Sequence, residues 1–268
     1  MILYPNAKIN LGLRVLNKRE DGFHDIETIM IPIPVYDILE FTESHSLEWV
    51  SSGLPIPNEG KSLVLKAYEL LSSKFKIGPL RIHLRKQIPI GAGLGGGSSD
   101  AAFTLLGLNE WFQLGINEEE LKTLASELGS DCAFFIDNTP ALATGRGEKL
   151  ASLNMDLSRF HVVLFNPGIH ISTATAYSSI VPNPVSRDVS KAILEKEMEW
   201  QNHFLNDFER IMSEKHPLIG AGIMQLKQNG AFYAAMSGSG SSYFGLFYNP
   251  PSRAFDFTIF QGNCTLMH

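Results

Sequence analysis

Between Pro89 and Ala102 the chain reads PIGAGLGGGSSDAA, with glycine at 91, 93, 95, 96 and 97. Ile82 and Leu84 alternate with Arg81, His83 and Arg85 just before it, and Ala102, Leu105, Leu106 and Leu108 recur with helical spacing just after. The order is therefore strand, glycine loop, helix. Glycines leave backbone N–H groups uncovered, and a helix start carries the positive end of its dipole, so this arrangement can cradle an anion. Phosphate is the natural guest. A flexible linker would not lie between a strand and an apolar helix, while a helix entry that merely needs tight backbone geometry is the other plain reading. The P-loop pattern is absent, because no Lys follows Gly96 or Gly97. Gly91, Gly93 and Gly96 do fit GxGxxG, with Glu110 at about the right distance for a ribose contact. That match is deceptive: Glu110 belongs to the helix the loop opens, and the preceding strand alternates instead of being uniformly apolar.

Other chemistry-bearing residues are scattered. Lys8 and Asn10 share the polar face of an alternating stretch. Asp131 opens DCAFFI after Gly129 and Ser130, Phe23 and His24 follow a turn at Asp21 and Gly22, and Thr173 and Tyr177 lie four apart after Pro167 and Gly168. Each has a bland reading: a solvated strand lysine, an acid in a first helical turn, core aromatics and a satisfied surface histidine. Spacing alone pairs none of them.

The elements that must position these groups begin with a half-buried strand at 8–15, where Ile9, Leu11, Leu13 and Val15 point one way and Lys8, Asn10, Gly12 and Arg14 the other. Ile26, Thr28 and Met30 alternate again until Pro32 and Pro34 interrupt, and short strands follow at 35–41 and 47–50. Ser62 is a cap for a helix over 62–74 carrying Leu63, Ala67, Leu70 and Leu71, and Asn117 with Glu120 forms a capping box for a helix ending at Gly129. Strands at 141–144 and 161–165 complete the first half. The turn-rich PNPVSRD at 182–188 marks a boundary, giving segments 1–182 and 183–268. Helices are expected at 189–200, 203–214 and 217–229, then strands AFYAAM, YFGLFY and FDFTIF around a second Gly/Ser loop, Ser237 to Ser242. Segregated runs of strands and helices favour an α+β fold.

Composition bounds the function. With 28 acidic against 22 basic residues the 268-residue chain carries a formal charge of −6, which argues against a nucleic-acid binder. No stretch approaches 18 consecutive apolar residues, so no membrane span is expected. Pro5, Lys8 and Asn10 break what a signal peptide would need to keep apolar. Cys132 and Cys264 sit at neither ligand nor redox spacing, so reduced thiols in a cytoplasmic protein are expected.

The motif Pro-x-Gly-x-Gly-Leu-Gly-Gly-Gly-Ser-Ser-x-Ala resembles the glycine motif of the GHMP kinase superfamily of small-molecule kinases. AKINLGL at the N-terminus and MSGSGSSYFGLF near the C-terminus, which is similar to the family's third glycine motif, agree in the right order. Within the superfamily, NAKINLGLRVLNKREDGFHDIETIM is most similar to the diphosphocytidyl-methylerythritol kinases. The resemblance implies an α+β, two-lobed GHMP-kinase fold, with an N-terminal mixed or antiparallel sheet with helices over 1–182 and a C-terminal α/β sandwich lobe over 183–268. It implies ATP-dependent phosphorylation of the 2-hydroxyl of 4-diphosphocytidyl-2-C-methyl-D-erythritol, in the non-mevalonate pathway, with Mg²⁺. Lys8 and Asp131 align with the family's catalytic pair. ATP is expected along Pro89, Gly91, Gly93, Leu94, Gly95, Gly96, Gly97, Ser98 and Ser99, with its base near Ser62 and Leu63. Ser98, Ser99 or Asp100 are candidate oxygen donors to the metal, but Asp100 could equally cap the helix and water could supply most ligands, so the ligand set stays open. The acceptor is expected at Asn10, Phe23, His24, Thr173, Tyr177, Ser237, Gly238 and Gly240, with Phe23 and Tyr177 sandwiching cytosine and His24 bonding its edge. Family members more often carry Tyr where Phe23 stands and Phe where Tyr177 stands; either ring can stack. GRGE at 145–148 resembles a family turn with no role legible in the sequence.

Two other readings compete. A GHMP kinase for homoserine, mevalonate or a sugar would share the glycine motif, but not Phe23 and His24 in their DGFH context. A diphosphate decarboxylase or a non-catalytic binding relative would keep the fold, and the latter is expected to lose Lys8 or Asp131.

Overall fold

The computed structural model describes residues 1–56, 62–185, 189–194, 196–251, 258–264 and 266. Their contacts fall into two units interleaved along the chain: Met1–Ala7, Val35–Ile90 and Gly95–Thr139 form the first, and Lys8–Pro34, Gly91–Leu94 and Pro140–His268 the second.

The first unit is a mixed sheet with helices. Strands β1 (Ile2–Leu3), β4 (Ile38–Glu43), β6 (Leu80–Lys86) and β5 (Glu48–Gly53) lie in the order β1-β4-β6-β5. β5 runs parallel to β6, and helix α1 (Leu63–Lys74) lies between the two in the chain, as a parallel pair requires of its crossover. Ser62 caps α1, its hydroxyl accepting from Val64 N–H at 3.3 Å, and Val64, Ala67 and Leu71 form the buried stripe. Helix α2 (Gly96–Trp111) follows the glycine loop and packs on α1, α3 (Glu118–Leu128) and α4 (Phe134–Asp137). Gly107 lets α2 approach closely, since a Cβ there would stand 2.5 Å from Leu3 and 2.7 Å from Phe41. Asn117 caps α3 by accepting from Glu120 N–H at 3.0 Å.

The second unit holds two sheets. β2 (Asn6–Lys18), β3 (His24–Tyr36), β7 (Ala141–Gly145) and β8 (Lys149–Ser152) form one, in that order. β10 (Tyr233–Met236), β11 (Tyr243–Phe247), β9 (His161–Phe165) and β12 (Thr258–Asn263) form an antiparallel second. Helices α8 (Asp207–Lys215) and α9 (Pro217–Gln228) pack on each other and on this second sheet. Leu13, Val15, Val163, Phe208, Ile223 and Met236 are among the buried residues of the core.

Several expectations change. Pro32 and Pro34 do not end β3: β7 pairs only with Ile26–Met30, so the missing proline N–H groups take nothing from that ladder. The helix expected at 189–200 is broken into α6 (Val189–Leu194), a 3₁₀ turn (Glu197–Glu199) and α7 (Trp200–His203). Lys196 is extended, and the break accompanies burial of Trp200 among Phe160, Phe204 and Phe232. α8 starts at Asp207 rather than 203, because Asn206 caps it and donates to Met236 and Gly238 carbonyls, both at 2.9 Å. The last strand runs to Asn263; the first part of FDFTIF lies outside the described residues. Helix α5 (Thr173–Ser178), α4, β1 and β8 are too short to leave a periodic signal.

Candidate active site

In the second unit, Lys8 is not a solvated strand lysine. β2 is buried on both faces over its first eight residues, and Lys8 is 4% exposed. Its Nζ donates to Asn10 Oδ1 at 2.5 Å and to the Gly93 carbonyl at 3.1 Å. Asn10 Nδ2 donates in turn to Thr28 Oγ1 at 3.0 Å, and Thr28 donates to the Gly12 carbonyl at 2.5 Å. The ammonium is therefore aimed by a buried chain of hydrogen bonds across β2 and β3. In the sequence Thr28 shows only as one residue of the alternation at 26–30.

The second Gly/Ser loop supports the first. Ser237 is fully buried; its hydroxyl donates to the Gly93 carbonyl at 2.9 Å and accepts from Asn10 N–H at 3.3 Å, while Ser242 N–H bonds the Ala92 carbonyl at 3.2 Å. A Cβ at Gly93 would lie 2.0 Å from the Ser237 carbonyl oxygen, and one at Gly240 2.1 Å from Gly93 N. These are backbone atoms that cannot step aside. Gly93 also sits at φ +79° and Gly238 at φ +59°.

His24, at the start of β3, stacks on Tyr177 of α5 with centroids 5.0 Å apart and planes 30° off parallel, and Tyr177 also meets Phe208 edge-on at 4.9 Å. Phe23 is 52% exposed, and the Arg146 guanidinium lies 5.1 Å above its ring. GRGE is thus the turn of the β7–β8 hairpin and delivers Arg146 to Phe23; Arg146 N–H bonds Glu148 Oε2 at 2.6 Å. Thr173 is exposed one turn before Tyr177. Partial burial first, and Lys18 second, hold the His24 imidazole below its ordinary pKa, favouring the neutral ring.

In the first unit, Gly95 is the N-cap of α2 in the left-handed region at φ +70° and provides no side-chain cap. Gly97 is exposed and Ser98 half-buried, whereas Ser99 is fully buried with its N–H already bonded to the Gly95 carbonyl at 2.9 Å. Leu63 Cδ1 lies 3.8 Å from where a Gly97 Cβ would be, so the starts of α1 and α2 adjoin. Asp131 stands half-buried in the turn between α3 and α4, ahead of α4 rather than in its first turn. Beside it, burial pushes the Cys132 thiol up to about 12, as it does Cys264, and both cysteines are free. Asp100 does not cap α2: it is buried and pairs with Lys86 at 2.6 Å, an interaction no motif announced. Burial, outweighing the attraction of Lys86, pushes its carboxyl up to about 7.

Comparison with known proteins places this geometry. The GHMP kinases N terminal domain matches residues 62–145, and the GHMP kinases C terminal domain matches residues 190–257. The chain belongs to the GHMP kinase family. This GHMP kinase is 47% identical over 252 residues to the 4-diphosphocytidyl-2-C-methyl-D-erythritol kinase of Parabacteroides distasonis, covering 93% of both chains. It is also 47% identical to the enzyme of the same name from Cytophaga hutchinsonii, covering 94% of each. A crystal structure of 4-(cytidine 5'-diphospho)-2C-methyl-D-erythritol kinase superposes with a TM-score of 0.78 at 32% identity, over 93% of this chain and 91% of that one. The GHMP kinase is accordingly a small-molecule kinase with the α+β fold expected of the family. No helix among its described residues is long and apolar enough to cross a membrane.

Proposed function

We propose that this kinase transfers the γ-phosphoryl group of ATP to the 2-hydroxyl of 4-diphosphocytidyl-2-C-methyl-D-erythritol, in the non-mevalonate route to isoprenoid precursors and in the cytoplasm. The observation that carries the reading is the 47% identity to kinases of that name over more than nine-tenths of the chain. The segments 1–182 and 183–268 are proposed as catalytic and C-terminal parts of the sequence, in keeping with a C-terminal family match that starts at 190.

In this reading Asp131 takes the proton of the 2-hydroxyl as its oxygen forms the new bond to the γ-phosphorus; the bond from that phosphorus to the β–γ bridging oxygen breaks and ADP leaves. Lys8, aimed by Asn10 and Gly93, neutralises charge around the reacting oxygens. The triphosphate lies along Pro89 to Ser99, with the adenine near Ser62 and Leu63. The start of α2, with Gly97 exposed and Gly95 half-buried, offers its N–H groups to phosphate oxygens. Ser237, Gly238 and Gly240 act on the acceptor side by holding Gly93 and Asn10 in place. Cytosine stacks on Phe23 and hydrogen-bonds His24, with Tyr177 bracing the imidazole and Thr173 at the rim.

A Mg²⁺ ion bound with the triphosphate would supply positive charge against the charge of the phosphate groups. Of the three candidate donors, Ser99 and Asp100 are sealed from solvent, and Asp100 is committed to Lys86. The Ser98 hydroxyl, half-buried in α2's first turn, fits a hard cation that otherwise keeps water and phosphate oxygens. Transfer to the 2-hydroxyl is tested by ³¹P and ¹H NMR of the product. Phosphate coupling at C2 of the methylerythritol is expected; phosphate at another hydroxyl would overturn the assignment.

A further inference from the structure

Lys86 ends β6 at an inward position, where Leu80, Ile82 and Leu84 set a buried apolar register. Its Nζ lies 2.5 Å from Asp37 Oδ2 and 2.6 Å from Asp100 Oδ2, and all three side chains are 4% exposed or less. Asp37 Oδ1 accepts from the N–H groups of Gln87 at 2.5 Å and Ile88 at 2.9 Å, the residues leading into the glycine loop. Asp37 is itself tied down by its N–H to the Pro5 carbonyl at 2.8 Å. Asp100 lies early in α2, the helix leading out of the loop. Between them, a Cβ on Gly96 would stand 2.9 Å from both Lys86 Nζ and Ile88 Cγ2. One ammonium therefore holds the chain entering the loop and the helix leaving it.

Stability does not account for this cluster. Two carboxylates share one ammonium away from water, and Asp100 Oδ1 has no hydrogen-bond partner among the described residues. Buried ion clusters of this kind are often matched or exceeded in stability by apolar groups of the same shape. What the cluster does supply is order. Glycine loses more conformational freedom on fixing than any other residue, so a loop with five of them is costly to order, and a loop ordered only by its ligand binds it more weakly.

We propose that Lys86, clasped between Asp37 and Asp100, is a positioning residue for nucleotide binding, fixing both ends of the glycine loop before the phosphates arrive. The inference rests on that loop being the ATP site. Its test uses the full-length enzyme, with ATP binding measured by calorimetry and loop order by amide hydrogen exchange. Lys86→Met leaves two acids buried without a cation, so the shape-preserving triple variant Asp37→Asn, Lys86→Met, Asp100→Asn is measured beside it. The triple variant is expected to lose about ten- to a hundredfold in ATP affinity, the size set by ordering one or two loop residues on binding. Its kcat at saturating ATP and its KM for the acceptor should stay within about twofold of wild type, and Asp100→Asn alone, which keeps the Lys86–Asp37 bond, should retain most of the affinity. In the wild-type enzyme without nucleotide, the N–H groups of Ile88 and Ser99 should already be protected. Wild-type ATP affinity in a folded triple variant, or wild-type amides that become protected only with ATP, would overturn the proposal. Failure of the wild-type enzyme to bind ATP at all would instead remove the reading of the loop on which it rests.

Discussion

Asn10→Ala is the substitution whose consequence the structure specifies most closely. Asn10 is 1% exposed and does two things at once: its oxygen accepts from Lys8 Nζ at 2.5 Å, and its amide donates to Thr28 at 3.0 Å. The first bond involves a charged donor, worth about 1.5–3 kcal/mol, and the second is a neutral bond worth about 0.5–1.5 kcal/mol. Their sum gives an expected stability loss of about 2–4.5 kcal/mol, visible as a lower urea midpoint with an unchanged slope. Lys8 would lose its bond to Asn10, one of the contacts that aim it, and a displaced catalytic group typically lowers the rate by about 10²-fold. The KM for ATP should change little. The assay is steady-state kinetics on the folded variant at several temperatures below its transition. A kcat within twofold of wild type in a stably folded Asn10→Ala enzyme would refute the claim that this chain of bonds aims the lysine.

Asp131→Asn should keep both substrates bound while lowering kcat by about 10² to 10⁴, the usual worth of a positioned base, and Lys8→Ala should not multiply with it in the double variant. Multiplying losses would show that the two serve separate steps. Phe23→Leu should raise the acceptor KM by about tenfold or more, Phe23→Tyr should not, and His24→Ala should weaken the acceptor while sparing ATP; equal damage to both substrates would return these residues to a structural role. Asp100 has its carboxyl pushed up to about 7 by burial, so between its ordinary value near 4 and about 7 the folded protein binds more protons than the unfolded chain. Its contribution to stability therefore falls as pH rises through that window and is flat above it. Asp100→Asn should remove that part of the slope from denaturant midpoints taken between pH 5 and 8, and an unchanged slope would contradict the assignment.

Much of this was legible in the sequence where local rules suffice. The strand, glycine loop and helix at 80–111 follow from alternation, glycine content and apolar spacing, and the caps at Ser62 and Asn117 bond as their residue types predict. What was not legible depends on the partner. Lys86 and Asp37 carry no motif, although Lys86 at the fourth inward position of an apolar alternation was an available signal. The stacking of His24 on Tyr177 depends on how β3 and α5 pack. The short α5 and the broken 189–203 region reflect tertiary burial of Ala176 and Trp200, which overrides local propensity. Gly96 illustrates the limit most clearly. Its sequence context suggests room cleared for phosphate, yet a Cβ there would meet Lys86 and Ile88 in the interior, so Gly96→Val would disturb the fold as well as the ligand. Gly97, exposed and with only Leu63 among the described residues near an added Cβ, at 3.8 Å, is the cleaner probe of phosphate approach.

The acceptor is identified by ATP consumption of the purified enzyme with 4-diphosphocytidyl-2-C-methyl-D-erythritol, homoserine, mevalonate or a hexose supplied separately at matched concentration. Turnover with the cytidine conjugate, at least about 10³-fold above the others in kcat/KM, is the predicted result, since a site built to bond a base edge rejects acceptors lacking it. Turnover with homoserine, mevalonate or the hexose, and none with the cytidine conjugate, would contradict the account.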